Sequence, residues 1–167
     1  MKKVGIITMH RVQNYGSALQ AYALQAYISK LGYAAELIDY IYPNAKHKQR
    51  VPLKKRIKHL LFKQVFARSL RRKSERFDRF YSTFYKCSPN QFPSADSLMA
   101  YDYPYDILVT GSDQVWNPIH VLNDTVFFLP FARPETPTIA YAPSFSVASI
   151  PQEYTGTIRP YIEAYDH

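Results

Sequence analysis

The feature that most constrains this chain is a strand, a helix and a second strand held within about its first 40 residues. Residues 4–8 (Val-Gly-Ile-Ile-Thr) form a short apolar run rich in β-branched side chains, the pattern of a buried strand. Residues 17–31 predict a helix, with Ala21, Leu24, Tyr27, Ile28 and Leu31 recurring at three- and four-residue spacing on one face. Gly32 stands where a left-handed helix cap is expected. Residues 35–40 read as the next strand. A strand–helix–strand unit this short makes a crossover, and crossovers build parallel sheets. The expected fold class is therefore α/β, a Rossmann-like parallel sheet with flanking helices.

Later segments fit this reading. Residues 74–86 predict a helix with Phe77, Phe80, Tyr81 and Phe84 on one side. Residues 89–93, bounded by prolines, read as a loop, and Ser94 as the cap of a short helix reaching Tyr101. Residues 106–110 (Asp-Ile-Leu-Val-Thr) are the clearest later strand. Residues 126–131 and 138–142 read as two more, and residues 157–165 as the start of a helix.

Charge is concentrated in one place. Residues 46–73 carry twelve Lys or Arg and no acidic residue, while the other nine basic residues face thirteen acidic ones. The segment reads as a basic helical insertion, amphipathic through Ile57, Leu60, Leu61, Val65 and Phe66. It is either a solvated helical face or a contact for an anionic membrane surface. No recognisable nucleic-acid-binding pattern accompanies it, so nucleic acid is not an expected partner. The single cysteine, Cys87, cannot form a disulfide within the chain and reads as a structural thiol in a reducing compartment. The five histidines do not fall at ligand spacing and no Cys pair exists, so no metal site is expected and each His reads as a surface or hydrogen-bonded residue. The apolar stretch at the N-terminus is too short for a signal peptide. A cytoplasmic protein, or one attached peripherally at the inner membrane face, is expected.

In an open parallel sheet, ligands bind beyond the carboxyl ends of the strands. Three loops leave such ends. In the first, Asn14, Tyr15, Gly16, Ser17 and Gln20 open a helix, where backbone N–H groups favour an anion or polar oxygen. Asn14 or Ser17 serves equally as an ordinary helix cap. In the second, Gly111 and Ser112 lead to Asp113, with Gln114, Trp116 and Asn117 behind it. Asp113 can orient a sugar hydroxyl or accept its proton beside the only tryptophan; alternatively it caps the next turn while Trp116 fills the core. Tyr141 and Ser144 belong to the third loop. Neither Gly-x-Gly-x-x-Gly nor a Walker A pattern is present, which counts against a nicotinamide enzyme and a P-loop nucleotidase.

Three stretches in this order resemble the polysaccharide pyruvyl transferases: Lys3–Thr8 leading to Asn14-Tyr15-Gly16-Ser17-Ala18-Leu19-Gln20, then Asp106 through Pro118, then Ile139-Ala140-Tyr141-Ala142-Pro143-Ser144-Phe145. Pro143 departs from the small residue more usual there. The resemblance implies a two-domain fold similar to the GT-B glycosyltransferases, of which residues 1–167 would be the N-terminal domain, incomplete and without its C-terminal partner. It implies transfer of a pyruvyl group from phosphoenolpyruvate, as donor substrate and with no cofactor, to a sugar of a cell-surface polysaccharide. The acceptor would be a glycan or a lipid-linked glycan. Donor-binding residues would lie in the second domain, so Asp113 and its neighbours would serve the acceptor. An isolated half would need the missing half or self-association to cover its apolar face. The competing expectations are a non-catalytic glycan-binding module and a GT-B-type glycosyltransferase using a nucleotide sugar.

Overall fold

The computed structural model describes residues 1–41, 65–122 and 124–167. The part of the basic insertion at 46–64, with Ile57, Leu60 and Leu61, lies outside the described residues.

Five strands form one all-parallel sheet in the order β3-β2-β1-β4-β5. They are β1 (Lys3–Ile7), β2 (Ala34–Tyr40), β3 (Cys87–Phe92), β4 (Ile107–Asp113) and β5 (Thr138–Pro143). The helices are α1 (Tyr15–Lys30), α2 (Ala67–Phe84), α3 (Ala95–Met99), α4 (Pro118–Val121) and α5 (Gln152–Glu163). The α/β, Rossmann-like class read from the sequence is the one observed.

Side chains alternate across the sheet and build two cores. Val4, Ile6, Leu37 and Val109 meet Ala21 and Leu24 of α1 on one face. Ile7, Ile38, Tyr40 and Leu108 meet Trp116, Phe127, Tyr154 and Ile158 on the other. Helix α1 turns Ser17, Ala18, Ala21, Leu24 and Gln25 inward. Tyr27 and Leu31, expected on that face, are exposed instead, because the buried face takes in Ser17, Ala18 and Gln25 and turns those two residues outward. Gln25 is buried but satisfied: its Nε2 donates to the carbonyls of Lys86 at 2.6 Å and Ala35 at 3.2 Å, and its Oε1 accepts from the Lys86 N–H. It joins β2 to the start of β3. Helix α1 ends as expected, with Gly32 left-handed at φ 91° and the Tyr33 N–H reaching the Ile28 carbonyl.

Four expectations about element bounds and type are corrected. Residues 89–93 lie largely in strand β3, not in a loop. β3 is an edge strand on a β2 register shift between Leu37 and Asp39, and such an edge tolerates Pro89. Residues 126–131 are not a strand: Val126–Phe128 forms a 3₁₀ turn closed by Leu129 at φ 59°. All three side chains of that turn are buried, so the run lacks the alternation a strand would show. The helix expected at 157–165 begins five residues earlier, at Gln152. The helix expected from residue 74 also begins earlier, at Ala67, and keeps its aromatic side. Ser94 caps α3 reciprocally with Ser97, as expected. Beyond α5, His167 exchanges hydrogen bonds with Thr138 and Ala140 along the outer edge of β5.

Candidate functional site

The strands end together at one edge of the sheet, and the three loops named above leave from it. Register sets their meeting. Val4–Ile7 pair with Ile107–Thr110, and Gly111 lies opposite Tyr141 and Asp113 opposite Pro143. Asp113 is thus the last residue of β4, level with the loop after β5 and across from the start of α1.

Its carboxylate is held on both sides. Ser17 Oγ donates to Oδ2 at 2.6 Å, and the Gln114 N–H donates to Oδ1 at 2.8 Å. The Asp113 backbone is left-handed at φ 85°, and its carbonyl accepts the Ser144 N–H at 3.0 Å. Each carboxylate oxygen has two acceptor positions, so Asp113 still has room for a ligand hydroxyl. A cis peptide joins Gly111 to Ser112. The Ser112 carbonyl accepts Thr8 Oγ1 at 3.1 Å, and Thr8 in turn accepts Gln20 Nε2 at 2.9 Å. Ser17 and Gln20 therefore tie α1 to β4 and β1. The other amide atom of Gln20, Oε1, is buried without a hydrogen-bond partner among the described residues.

The remaining candidates separate by exposure. Asn14 caps α1, its Oδ1 accepting from Gly16 N–H at 2.8 Å and Ser17 N–H at 3.4 Å. Tyr15, Gly16 and Tyr141 are exposed at the edge, Tyr15 against Phe77 with ring centres 5.0 Å apart. Ser144 is half-buried, 3.0 Å from Ser146 Oγ. Trp116 and Asn117 are buried. Trp116 Nε1 donates to the Phe127 carbonyl at 3.2 Å and its ring stacks on Phe128 at 5.0 Å, so the indole fills the core beneath the loop. Asn117 caps α4 through Ile119 and His120 N–H. These two support the loop from inside.

A second polar cluster lies beside this one, on the same face of the sheet. His10 is 2% exposed; its Nδ1 is 3.1 Å from the Thr8 carbonyl and its Nε2 3.1 Å from Asp39 Oδ1. The Arg11 guanidinium grips both Asp39 oxygens, and Gln91 Nε2 donates to Oδ2 at 3.2 Å. Burial works against the Asp39 charge, but the hydrogen bonds from His10, Arg11 and Gln91 outweigh it and hold the carboxyl far below its usual range. The bond to Asp39 raises Arg11 in turn. The cluster anchors the loop that carries Asn14 to the end of β2. Sequence reasoning passed over it, although one signal was there: an Asp set between Ile38 and Tyr40 in a strand needs partners for its charge.

This cluster predicts an acid response. A depressed native pKa gives stability that is present above the unfolded value, about 3.9, and lost as pH falls through the native value. The melting temperature should therefore drop as pH falls below about 4. Asp39→Asn should melt lower at neutral pH and show a flatter dependence across the acid range. Parallel pH profiles for the two proteins, by circular dichroism, would refute it. Burial pushes the Cys87 thiol up to about 11.

The family model of the polysaccharide pyruvyl transferases matches residues 14–167, which takes in all three loops. The chain belongs to that family. No curated protein and no solved structure matches it. In this polysaccharide pyruvyl transferase family member the matched region begins at Asn14, the cap of α1, and runs through Asp113 and Ser144.

Proposed function

We propose that the protein transfers a pyruvyl group from phosphoenolpyruvate to a sugar of a cell-surface polysaccharide, and that these residues form the acceptor side of its site. The observation that carries the reading is family membership across 14–167 joined to a carboxylate at a strand end, held by Ser17 and by backbone. In the reaction, C3 of the enol takes a proton and C2 takes the oxygen of one sugar hydroxyl. Phosphate then leaves C2, and a second hydroxyl of the same sugar closes the ketal. Of the two hydroxyl protons released, one balances that added at C3 and the other leaves with phosphate. Asp113 accepts or orients an attacking hydroxyl, which positioning and proton transfer make productive. Tyr15, Asn14 and Tyr141 flank it as sugar contacts, a Tyr offering both a ring face and a hydroxyl. The protein works at the cytoplasmic side, where phosphoenolpyruvate is available.

The test is phosphate release from phosphoenolpyruvate by the full-length protein. Release is expected only when envelope polysaccharide of the source organism is added, with acid-labile pyruvate appearing on the glycan. Transfer from a nucleotide sugar, with none from phosphoenolpyruvate, would overturn the reading in favour of a glycosyltransferase. Glycan binding without either reaction would leave a binding module.

A further inference from the structure

The first turns of α2 are exposed throughout. Helix α2 leads into β3 and so runs against the strand direction, its N-terminus towards the carboxyl edge of the sheet. Contacts fix its height. Phe84 meets Tyr22 with ring centres 5.4 Å apart, Tyr81 Oη donates to the Val12 carbonyl at 2.8 Å, and Gln13 Nε2 donates to Ser74 Oγ at 2.8 Å. Gln13 already belongs to the loop beyond β1. Residues 67–73 continue past that level for roughly 10 Å at 1.5 Å per residue. Every residue from 65 to 73 is exposed.

That overhang carries Arg68, Arg71, Arg72 and Lys73 with no acidic residue among them, and Arg76 follows one turn later. Arg71 pairs with Glu75 at 2.8 Å, which offsets one of these five positive charges. Arg68 and Arg72 make no ion pair among the described residues. Val65 is 76% exposed and Leu70 40%. Leu70 lies seven residues before Phe77, on the same stripe of the helix, but is exposed where Phe77 is buried against Tyr15.

We infer that the projecting start of α2 is a contact for an anionic phospholipid surface, which sets the carboxyl edge of the sheet, with Asp113, against the bilayer. Charge complementarity selects the occupant: guanidinium groups bind phosphate bidentately. Basic residues near an anionic leaflet each strengthen the attachment several-fold. Leu70 and Val65 add a shallow apolar contact, which a bilayer rewards and a nucleic-acid backbone does not. No helix among the described residues is long and apolar enough to cross a membrane. The inference does not depend on the pyruvyl chemistry.

The experiment is co-sedimentation of the full-length protein with phosphatidylcholine vesicles and with vesicles containing phosphatidylglycerol, at low and physiological salt. Binding is expected to the anionic vesicles, weakening with salt and falling at least about tenfold on neutral ones. Replacing Arg68, Arg71, Arg72 and Lys73 together by Glu should remove at least about tenfold of the affinity. The unfolding temperature should move by only a few degrees, since all four side chains are exposed and lose only the surface contacts of Arg71 with Glu75 and of Lys73 with the Phe77 ring. Equal binding to both vesicle types, or binding to neither, overturns the inference. So does unchanged binding by the fourfold variant. A duplex DNA that displaces the vesicles and binds more tightly would show a nucleic-acid surface instead.

Discussion

Gly111→Ala is expected to cost about 3 kcal/mol or more and to leave little of the site intact. Two independent penalties meet at this residue. Its φ of 107° lies where a side chain is strained in any surroundings. A Cβ built there would also sit 2.1 Å from the Tyr141 carbonyl oxygen and 3.0 Å from its carbon. The obstacle is backbone on the paired strand β5, which cannot swing aside as a flexible side chain does. Either β5 moves away, opening the β4–β5 ladder beside Asp113, or the Gly111 backbone changes region and turns Asp113 out of place. In a chain of this size each kcal/mol lowers the melting temperature by roughly 2–4 °C, so a fall of about 6–12 °C is expected. Thermal melts of the purified variant measure it. A variant melting within a degree or two of the parent would mean that the two strands separate here at little cost.

Legibility followed burial and backbone demands. β1, α1 and β2 could be read because a β-branched run, a capped helix and Gly32 all point the same way. β4 was legible for the same reason, as was the position of Asp113 beyond its apolar stretch. β3 was not, since Cys-Ser-Pro-Asn-Gln-Phe has little strand character of its own. It is an edge strand held by Ser88, Gln91 and Phe92 against β2, contacts that no local pattern shows. The turn at Val126–Phe128 was misread because a fully buried run looks alike whether it is extended or coiled. There the Phe127 carbonyl collects Thr110 Oγ1 at 2.7 Å and Trp116 Nε1 at 3.2 Å, a convergence made only by the folded chain. The same holds for His10, Arg11 and Asp39, distant in sequence and joined by the pairing of β1 with β2.

Asp113→Asn separates the two readings of the site most sharply. In the full-length protein it is expected to cost at least about tenfold in turnover, within the usual range for a lost general base. Asn is the appropriate replacement for a backbone reason. It shares with Asp a tolerance of positive φ, so the 85° conformation survives, whereas Ala would add strain. The amide oxygen can still accept the Gln114 N–H. The amide nitrogen, placed near Ser17 Oγ, can donate to the hydroxyl that formerly donated to Asp113. What is lost is the negative charge and the capacity to take a proton. Ser17→Ala removes the bond that aims the carboxylate but leaves its charge, so its loss should be smaller and should rise less than additively when the two are combined. If Asp113→Asn melts several degrees lower yet keeps its activity per folded molecule, the residue is a structural link between β4 and α1. If it folds like the parent and turns over slowly, with binding of the acceptor retained, the carboxylate acts on the reacting hydroxyl.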